Sequence, residues 1–271
     1  MNTTGKTDKI KISYACATNM GKIREENQDN FYIDGKTAGG GNEARAVSGV
    51  FEKEQIIAAV CDGMGGEANG KDASALAADW VRKADEALNK DIDSDIDGFI
   101  LKYINSANDD VYQMSVNAGD LGGSTVNLVY INGNMAISYN LGDSRTYLFR
   151  DDKLTQLSRD HTTVADMVRL GSLTEEEARR HPRRNQLNQF VGVSTKRFKL
   201  DPHISDNVAL RDNDMLLICS DGLTDMCEIR EIIEIMSADK ELKSIVDDLV
   251  NAALERGGLD NITVMLLAAR A

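Results

Sequence analysis

At 271 residues, 42% hydrophobic and 28% charged, the chain has the size and balance of a globular protein with a full core, not of a disordered tail. A net charge of −13 argues against non-specific binding to nucleic acid or anionic membrane, which needs clustered Lys and Arg, and supplies many carboxylates to a metal. Four cysteines (Cys16, Cys61, Cys219, Cys227) without C-x-x-C spacing argue against a disulfide framework or a structural zinc, and three scattered histidines weaken a His-based metal site or a Ser/His triad.

In chain order, the opening MNTTGKTDKIKISYA has no apolar core of signal-peptide type, and no apolar run is long enough to span a bilayer, so a cytoplasmic location is expected. A short strand is predicted at Phe31–Ile33, a flexible hairpin loop at Gly39–Gly41 and a buried strand over Ile56–Cys61. Ala73, Leu76, Ala77, Trp80, Val81, Ala84 and Leu88 recur at helical steps, as do Ile96, Phe99, Ile100, Tyr103, Ile104, Ala107, Val111 and Met114. The preceding Asp93-x-Asp95-x-Asp97-Gly98 matches half of a calcium loop, but its twelfth position is Ile104 where a bidentate Glu is required. It reads as an acid-rich helix start, favoured by the helix dipole. Val126–Ile131 and Met135–Leu141 flank the turn Asn132-Gly133-Asn134 and predict a hairpin. Further strands are expected at Thr146–Phe149, Met215–Cys219 and Ile262–Ala268, with a third helix carrying Ile245, Val246, Leu249, Val250, Ala253 and Leu254. Strands joined by hairpins with long helices between groups fit an α+β fold, antiparallel sheets with helices outside, better than repeating βαβ units. One domain is expected over residues 1–271, with the polar, Arg-rich segment 162–196 as an excursion from it.

Several apolar runs finish in an Asp within a Gly- or Asn-containing turn: Asp62-Gly63, Asp143 after Gly142, Asp221-Gly222 and Asp260-Asn261, with Asp29 just ahead of Phe31. Singly, each is an ordinary turn, because Asp bonds its own backbone and Gly tolerates positive φ. Together, like charges at neighbouring strand ends repel unless a cation neutralises them, and carboxylates with carbonyls suit Mg²⁺ or Mn²⁺. A glycine beside a ligand Asp lets a backbone carbonyl reach the same metal.

The order Arg24-x-x-Asn27-x-Asp29, Asp62-Gly-Met-Gly-Gly66, Gly123-Ser-Thr125, Gly142-Asp-Ser-Arg145, Asp160-His161, Ser220-Asp-Gly-Leu223 and Asp260-Asn-Ile-Thr263 resembles the metal-dependent serine/threonine protein phosphatases of type 2C, in their bacterial form. The resemblance runs from about residue 12 to residue 267. It implies two stacked antiparallel β-sheets flanked by α-helices on both faces, four layers in all, with 162–196 as a flap subdomain. It implies two cations, with Asp62 bridging them, Gly63 lending its carbonyl, and Asp221 and Asp260 on the first. Asp29 matches an outer-shell acid, Asp143 a ligand of a third, weaker cation, and Arg24 the arginine that grips substrate phosphate. The implied reaction is hydrolysis of phosphoserine or phosphothreonine on proteins by in-line attack of a metal-bridging hydroxide. Two cations roughly 3.5–4 Å apart lower the pKa of a shared water enough for this, and a planar guanidinium matches two phosphate oxygens.

Two positions depart from the pattern. Met64 stands where some members carry a proton-donating His, leaving the general acid unassigned, and Gln28 stands where many carry Glu. Within the flap, His181, Arg183, Arg184 and Asn185 are candidates to meet phosphoprotein substrate; alternatively Glu175–Glu177 pair with the neighbouring arginines on a solvated hairpin. His161 reads as a structural residue, and Cys61 and Cys219 as core. A Ser/Thr protein kinase is the expected counterpart, with a monomer, no nucleic acid and no membrane. The rival readings are a catalytically silent metal-binding regulator, a calcium-binding module and a metal-dependent nuclease; the intact set Arg24, Asp62, Asp221 and Asp260, the missing Glu, and the negative charge weigh against them in turn.

Overall fold

The computed structural model describes residues 10–39, 41–65, 69–88 and 95–271. The chain opens with β1 (Lys11–Asn19), β2 (Asp29–Ile33), β3 (Lys36–Thr37), β4 (Arg45–Val50) and β5 (Gln55–Gly65). Two long helices follow, α1 (Asn69–Leu88) and α2 (Ile96–Ala118). Next come β6 (Gly122–Ser124), β7 (Val126–Asn132), β8 (Met135–Leu141), β9 (Arg145–Arg150) and β10 (Lys153–Gln156). The short helices α3 (Thr163–Arg169) and α4 (Glu175–Arg179) lead to β11 (His203–Ile204), β12 (Val208–Ala209) and β13 (Met215–Cys219). The remainder is α5 (Asp221–Thr224), α6 (Ile229–Met236), α7 (Leu242–Glu255) and β14 (Ile262–Arg270).

These strands form two antiparallel sheets, one in the order β10-β9-β13-β14-β1-β4 and one in the order β11-β8-β7-β5-β2-β3, with β12 added to β8 and β6 to β5. β1 and β14 pair along their whole length, from Lys11 opposite Arg270 to Asn19 opposite Ile262, so the first and last described strands are neighbours inside one sheet. The strands read as unbroken apolar runs because both of their faces are covered. Along β14, Ile262, Val264, Leu266 and Ala268 pack outward on one cluster, while Met265, Leu267 and Ala269 pack inward on another. Along β5, Ile56, Ala58 and Val60 join that same inner cluster, and Ile57, Ala59 and Cys61 face the other way.

Three apolar layers result. The inner one is shared by both sheets; one outer layer packs the first sheet against α5, α6 and α7, and the other packs the second sheet against α1 and α2. That is the expected helix–sheet–sheet–helix order. Ala73, Ala77, Val81, Ala84 and Leu88 of α1 and Ile100, Ile104, Ala107 and Val111 of α2 form the buried stripes, matching their spacing. All four cysteines are free and buried, each within one of these clusters. Asp95 starts α2 by accepting from the Gly98 amide at 2.9 Å, and Gly119 ends it with φ 70°. That is the helix start read from the sequence, although Asp93 lies outside the described residues.

Two expectations are corrected. The Gly39–Gly41 stretch, whose Gly40 is outside the described residues, is not a hairpin: β3 belongs to one sheet and β4 to the other, so the loop crosses between them. The strand predicted to stop at Cys61 runs on through Asp62, Gly63 and Met64 to Gly65, because β6 pairs with this extension. The Gly66 of the same motif is outside the described residues.

Candidate active site

Asp62 sits inside a strand, directly opposite Asp29 across β5 and β2. Its backbone is clamped from the other side: its amide donates to Thr125 Oγ1 at 2.9 Å, and its carbonyl accepts from the Thr125 amide at 2.8 Å. Thr125 in turn shares a 2.7 Å hydroxyl bond with Ser144. The next residue must be glycine, because a Cβ on Gly63 would lie 2.1 Å from the Gly70 carbonyl oxygen and 2.5 Å from that of Gln28. So close an approach leaves Asp62 fixed between the start of α1 and the β1–β2 loop.

Asp143 occupies the turn between β8 and β9, where Gly142 adopts φ 115° over the Thr125 side chain. The turn is braced by Arg145, whose guanidinium donates to both carboxylate oxygens of Asp160, at 2.6 Å in its shortest bond. Asp221 is the first residue of α5, immediately after β13 and Ser220. Asp260 lies in the α7–β14 loop and accepts from Arg24 Nη2 at 2.6 Å.

The loop carrying Arg24 is tied to the Asp260 loop. Lys22 N donates to Gly258 O at 2.8 Å, and a Cβ on Gly21 would meet Asp260 O at 2.2 Å. Asn261 completes the junction: its Oδ1 accepts from the Gln28 amide, while its Nδ2 donates to the carbonyls of Met20 and Glu26, at 2.8, 2.8 and 2.9 Å.

Arg24, Asp62, Gly63, Asp143, Asp221, Asp260 and, from the flap, Asn185 line one open cleft of about 640 Å³, together with Gln28, Met64, Gly65, Thr125, Leu187 and Asn261. Asp29 lies behind it, buried; its Oδ2 accepts from Ser220 Oγ and Thr263 Oγ1, both at 2.7 Å. His181, Arg183 and Arg184 are not among the cleft-lining residues. His181 Nδ1 instead accepts from the Arg183 amide at 3.2 Å, and Arg184 reaches toward Asp225 at 3.8 Å. His161 is buried beneath the Asp143 turn, its Nδ1 accepting from the Gly142 amide, and burial lowers its pKa to about 4.

The carboxylates crowd one another. Burial, then the charge of Asp29, holds Asp62 well above the usual carboxylate range; burial, then the charge of Asp143, does the same to Asp221. Burial raises Asp143 to about 7, with Asp160 adding to the shift and Arg145 opposing it. Burial raises Asp29 to about 6 against the two hydroxyls that favour its charge. Oδ1 of Asp29 and Oδ1 of Asp221 are buried without a hydrogen-bond partner. Among the described residues, no three His, Cys, Asp or Glu side chains already converge on a point that holds a metal ion. The acids stand around the cleft, with Asp260 turned to Arg24. This is what like charges do until a cation offsets their repulsion, and hard carboxylate and carbonyl oxygens with unmet polar atoms fit divalent Mg²⁺ or Mn²⁺.

Four residues whose roles escaped sequence reasoning hold this arrangement: Thr125 and Asn261 fix backbone at the cleft, and Ser220 and Thr263 hold Asp29. All lie within the motif blocks given above; for Ser220, Asn261 and Thr263 the available signal was their place close to Asp221 or Asp260. Asp225, at the end of α5, lay outside every block.

Comparison with known proteins agrees in sequence and in fold. The family model described as protein phosphatase 2C matches residues 44–266. A serine/threonine phosphatase named stp from Listeria innocua is 33% identical over 255 residues, covering 92% of this chain and 93% of that protein. The solved structure of a serine/threonine phosphatase from S. agalactiae superposes with a TM-score of 0.80 at 29% identity, over 95% of this chain and 99% of the other. The catalytic domain of the serine/threonine protein phosphatase PstP, solved in complex with two manganese ions, gives 0.78 at 27% identity over 97% and 100%.

Proposed function

This chain belongs to the protein phosphatase 2C family and is a serine/threonine phosphatase, and we propose that its cleft holds two divalent cations on Asp62, Gly63, Asp221 and Asp260 while Arg24 binds the substrate phosphate. The observation that carries the assignment is the ring of four carboxylates around one cleft, with a guanidinium at its edge and an unpartnered buried oxygen on Asp221. When bound, the cations supply a water acidified to near-neutral pKa and neutralise charge on the phosphoryl oxygens.

The chain's own residues do the rest. Arg24 is anchored by Asp260 and half exposed, so its fork can also take phosphate oxygens and orient phosphorus above the carboxylates. Asp62 is immobilised by Thr125 and Gly63, and Asp29 behind it would orient solvent beside cations bound there. Asn185 and Leu187 wall the flap side of the cleft, with Arg183, Arg184 and His181 beside them toward the protein substrate. Met64 lines the cleft but has no proton to give to the departing Ser or Thr oxygen.

Phosphoserine and phosphothreonine are made by kinases, so a Ser/Thr protein kinase is the source of the substrates. The same reading carries Mg²⁺ or Mn²⁺ as the cations, a third, weaker one at Asp143, a monomeric catalytic domain with 162–196 as its flap, and a cytoplasmic setting. No helix among the described residues is long and apolar enough to cross a membrane.

The test is phosphate release from a phosphothreonine peptide with Mn²⁺, with excess EDTA, and with an Asp62→Ala variant, alongside calorimetric Mn²⁺ binding. Release confined to metal-loaded wild type, with weakened Mn²⁺ binding in the variant, is expected. A folded protein that binds Mn²⁺ but releases no phosphate from several phosphopeptides sinks the assignment and favours a silent regulator.

A further inference from the structure

We infer that the flap run Arg179–Arg184 reads an anionic side chain of the substrate two or three residues from the phosphorylated one, so that the enzyme selects phosphopeptides carrying a nearby carboxylate or second phosphate. This rests on the phosphatase reading above and concerns which substrates that cleft takes.

The argument begins with charge. In a chain of net −13, segment 162–196 carries six Lys or Arg against four Asp or Glu, a basic island on an acidic molecule. Some of its charges are matched internally. Arg169 donates to Asp166 at 2.6 Å, Arg180 pairs with Glu176 at 3.2 Å, and Glu177 closes a capping box on Thr174. Arg184 reaches Asp225 only at 3.8 Å. Arg179 and Arg183, both exposed, make no ion pair among the described residues. The solvated-hairpin account of this segment therefore covers Arg180 but not these two. A basic residue at a helix C-terminus explains Arg179 in part, yet Arg183 lies beyond α4 in a turn.

Position makes these charges useful. The run leads into Asn185 and Leu187, which line the cleft; Arg183 lies two residues before Asn185, a span of at most about 7 Å, and Arg179 four residues further back. A substrate with its phosphate at Arg24 and its backbone crossing the flap presents a neighbouring side chain to Arg183 and Arg179. The acidic body repels anionic peptides elsewhere, so the flap is where an extra negative charge on the substrate gains attraction. Carboxylate and phosphate share this chemistry, and a guanidinium accepts either.

The experiment measures kcat and KM of the Mn²⁺-loaded full chain on three phosphothreonine peptides that differ only at the second and third flanking positions: Glu, Gln, or phosphoserine. Each is run at low and high salt, for wild type and for the Arg179→Gln/Arg183→Gln variant, whose melting temperature is checked against wild type. Exposed pairs of this kind contribute a few tenths to one kcal/mol each, so the Glu peptide is expected to show a KM about 5-fold below the Gln peptide with kcat unchanged. The ratio should shrink at high salt and approach unity in the variant. A preference for phosphoserine alone would support the site and assign second phosphates as its ligand. Equal KM values for all three peptides in wild type, or a preference that survives in the variant, overturns the inference. Wild-type turnover of p-nitrophenyl phosphate, which has no flanking residues, separates the two levels: its presence with no peptide preference overturns only this inference, and its absence overturns the phosphatase reading as well.

Discussion

Replacing Gly63 by alanine would force a Cβ into backbone on two sides, the Gly70 carbonyl at the start of α1 and the Gln28 carbonyl in the β1–β2 loop. Neither can retreat cheaply, since the Gln28 carbonyl also accepts from the Gly63 amide and from Ser74 Oγ. Overpacking of this kind costs about 1–3 kcal/mol, so Gly63→Ala is expected to lower the urea midpoint and weaken Mn²⁺ binding together. An unchanged midpoint would show that the close approach is not maintained in solution. At this scale the sequence was legible where a residue breaks a pattern. A carboxylate at the end of an apolar run stands out, so Asp62, Asp143, Asp221 and Asp260 were all visible, and all reach one cleft. Thr125, Ser220 and Thr263 were not assigned roles, because a hydroxyl inside or beside a strand looks the same whether it faces solvent or holds a buried acid.

Two loops, 20–28 and 257–261, set the distance between Arg24 and Asp260, and Asn261 joins them through three hydrogen bonds while 5% exposed. Asn261→Ala removes all three and strands two carbonyls and one amide. At about 1 kcal/mol per bond, a loss of about 2–3 kcal/mol is expected in urea unfolding. Because Arg24 loses its register, kcat/KM should fall by more than the loss of folded protein explains. A variant with reduced stability but normal turnover would reduce Asn261 to a structural role. Asp95→Ala should cost about 1 kcal/mol by removing the α2 cap, and calcium should shift the melting temperatures of wild type and Asp95→Ala equally if this is a helix start. Long elements were legible: α1, α2, α7 and the β7–β8 hairpin follow their apolar spacing. Short ones were not. β11 and β12 are two residues each, and α5 is a single turn, so no period exists to detect. The Gly39–Gly41 loop misled for a different reason, since glycines mark a change of direction without saying which sheet the chain enters next.

For the whole molecule, alternating core residues in β5 and β14 show why two stacked sheets were readable only through a family resemblance: strands covered on both faces lose the alternation that would reveal their partners. The clustered acids, by contrast, give the protein a measurable pH signature. Asp143 titrates near 7 and Asp29 near 6 in the folded state, both above their ordinary 3.8. Between about pH 4 and 7 the folded protein therefore binds more protons than the unfolded chain, and stability contributed by the protonated acids is lost as pH rises. Ion-paired acids elsewhere, such as Asp79 with Arg82 and Lys83, work in the opposite sense, so a single variant isolates the effect. In EDTA, Asp143→Asn is expected to match wild type near pH 4 and to exceed it in urea midpoint at pH 8, where only the wild type carries a buried charge that its acidic neighbours also repel. Adding Mn²⁺ at pH 8 should raise wild type more than the variant, because the cation offsets the same repulsion that the amide removes. If the two proteins keep a constant difference from pH 4 to pH 8, Asp143 is not confined among the other carboxylates, and the electrostatic case for cations in the cleft fails with it.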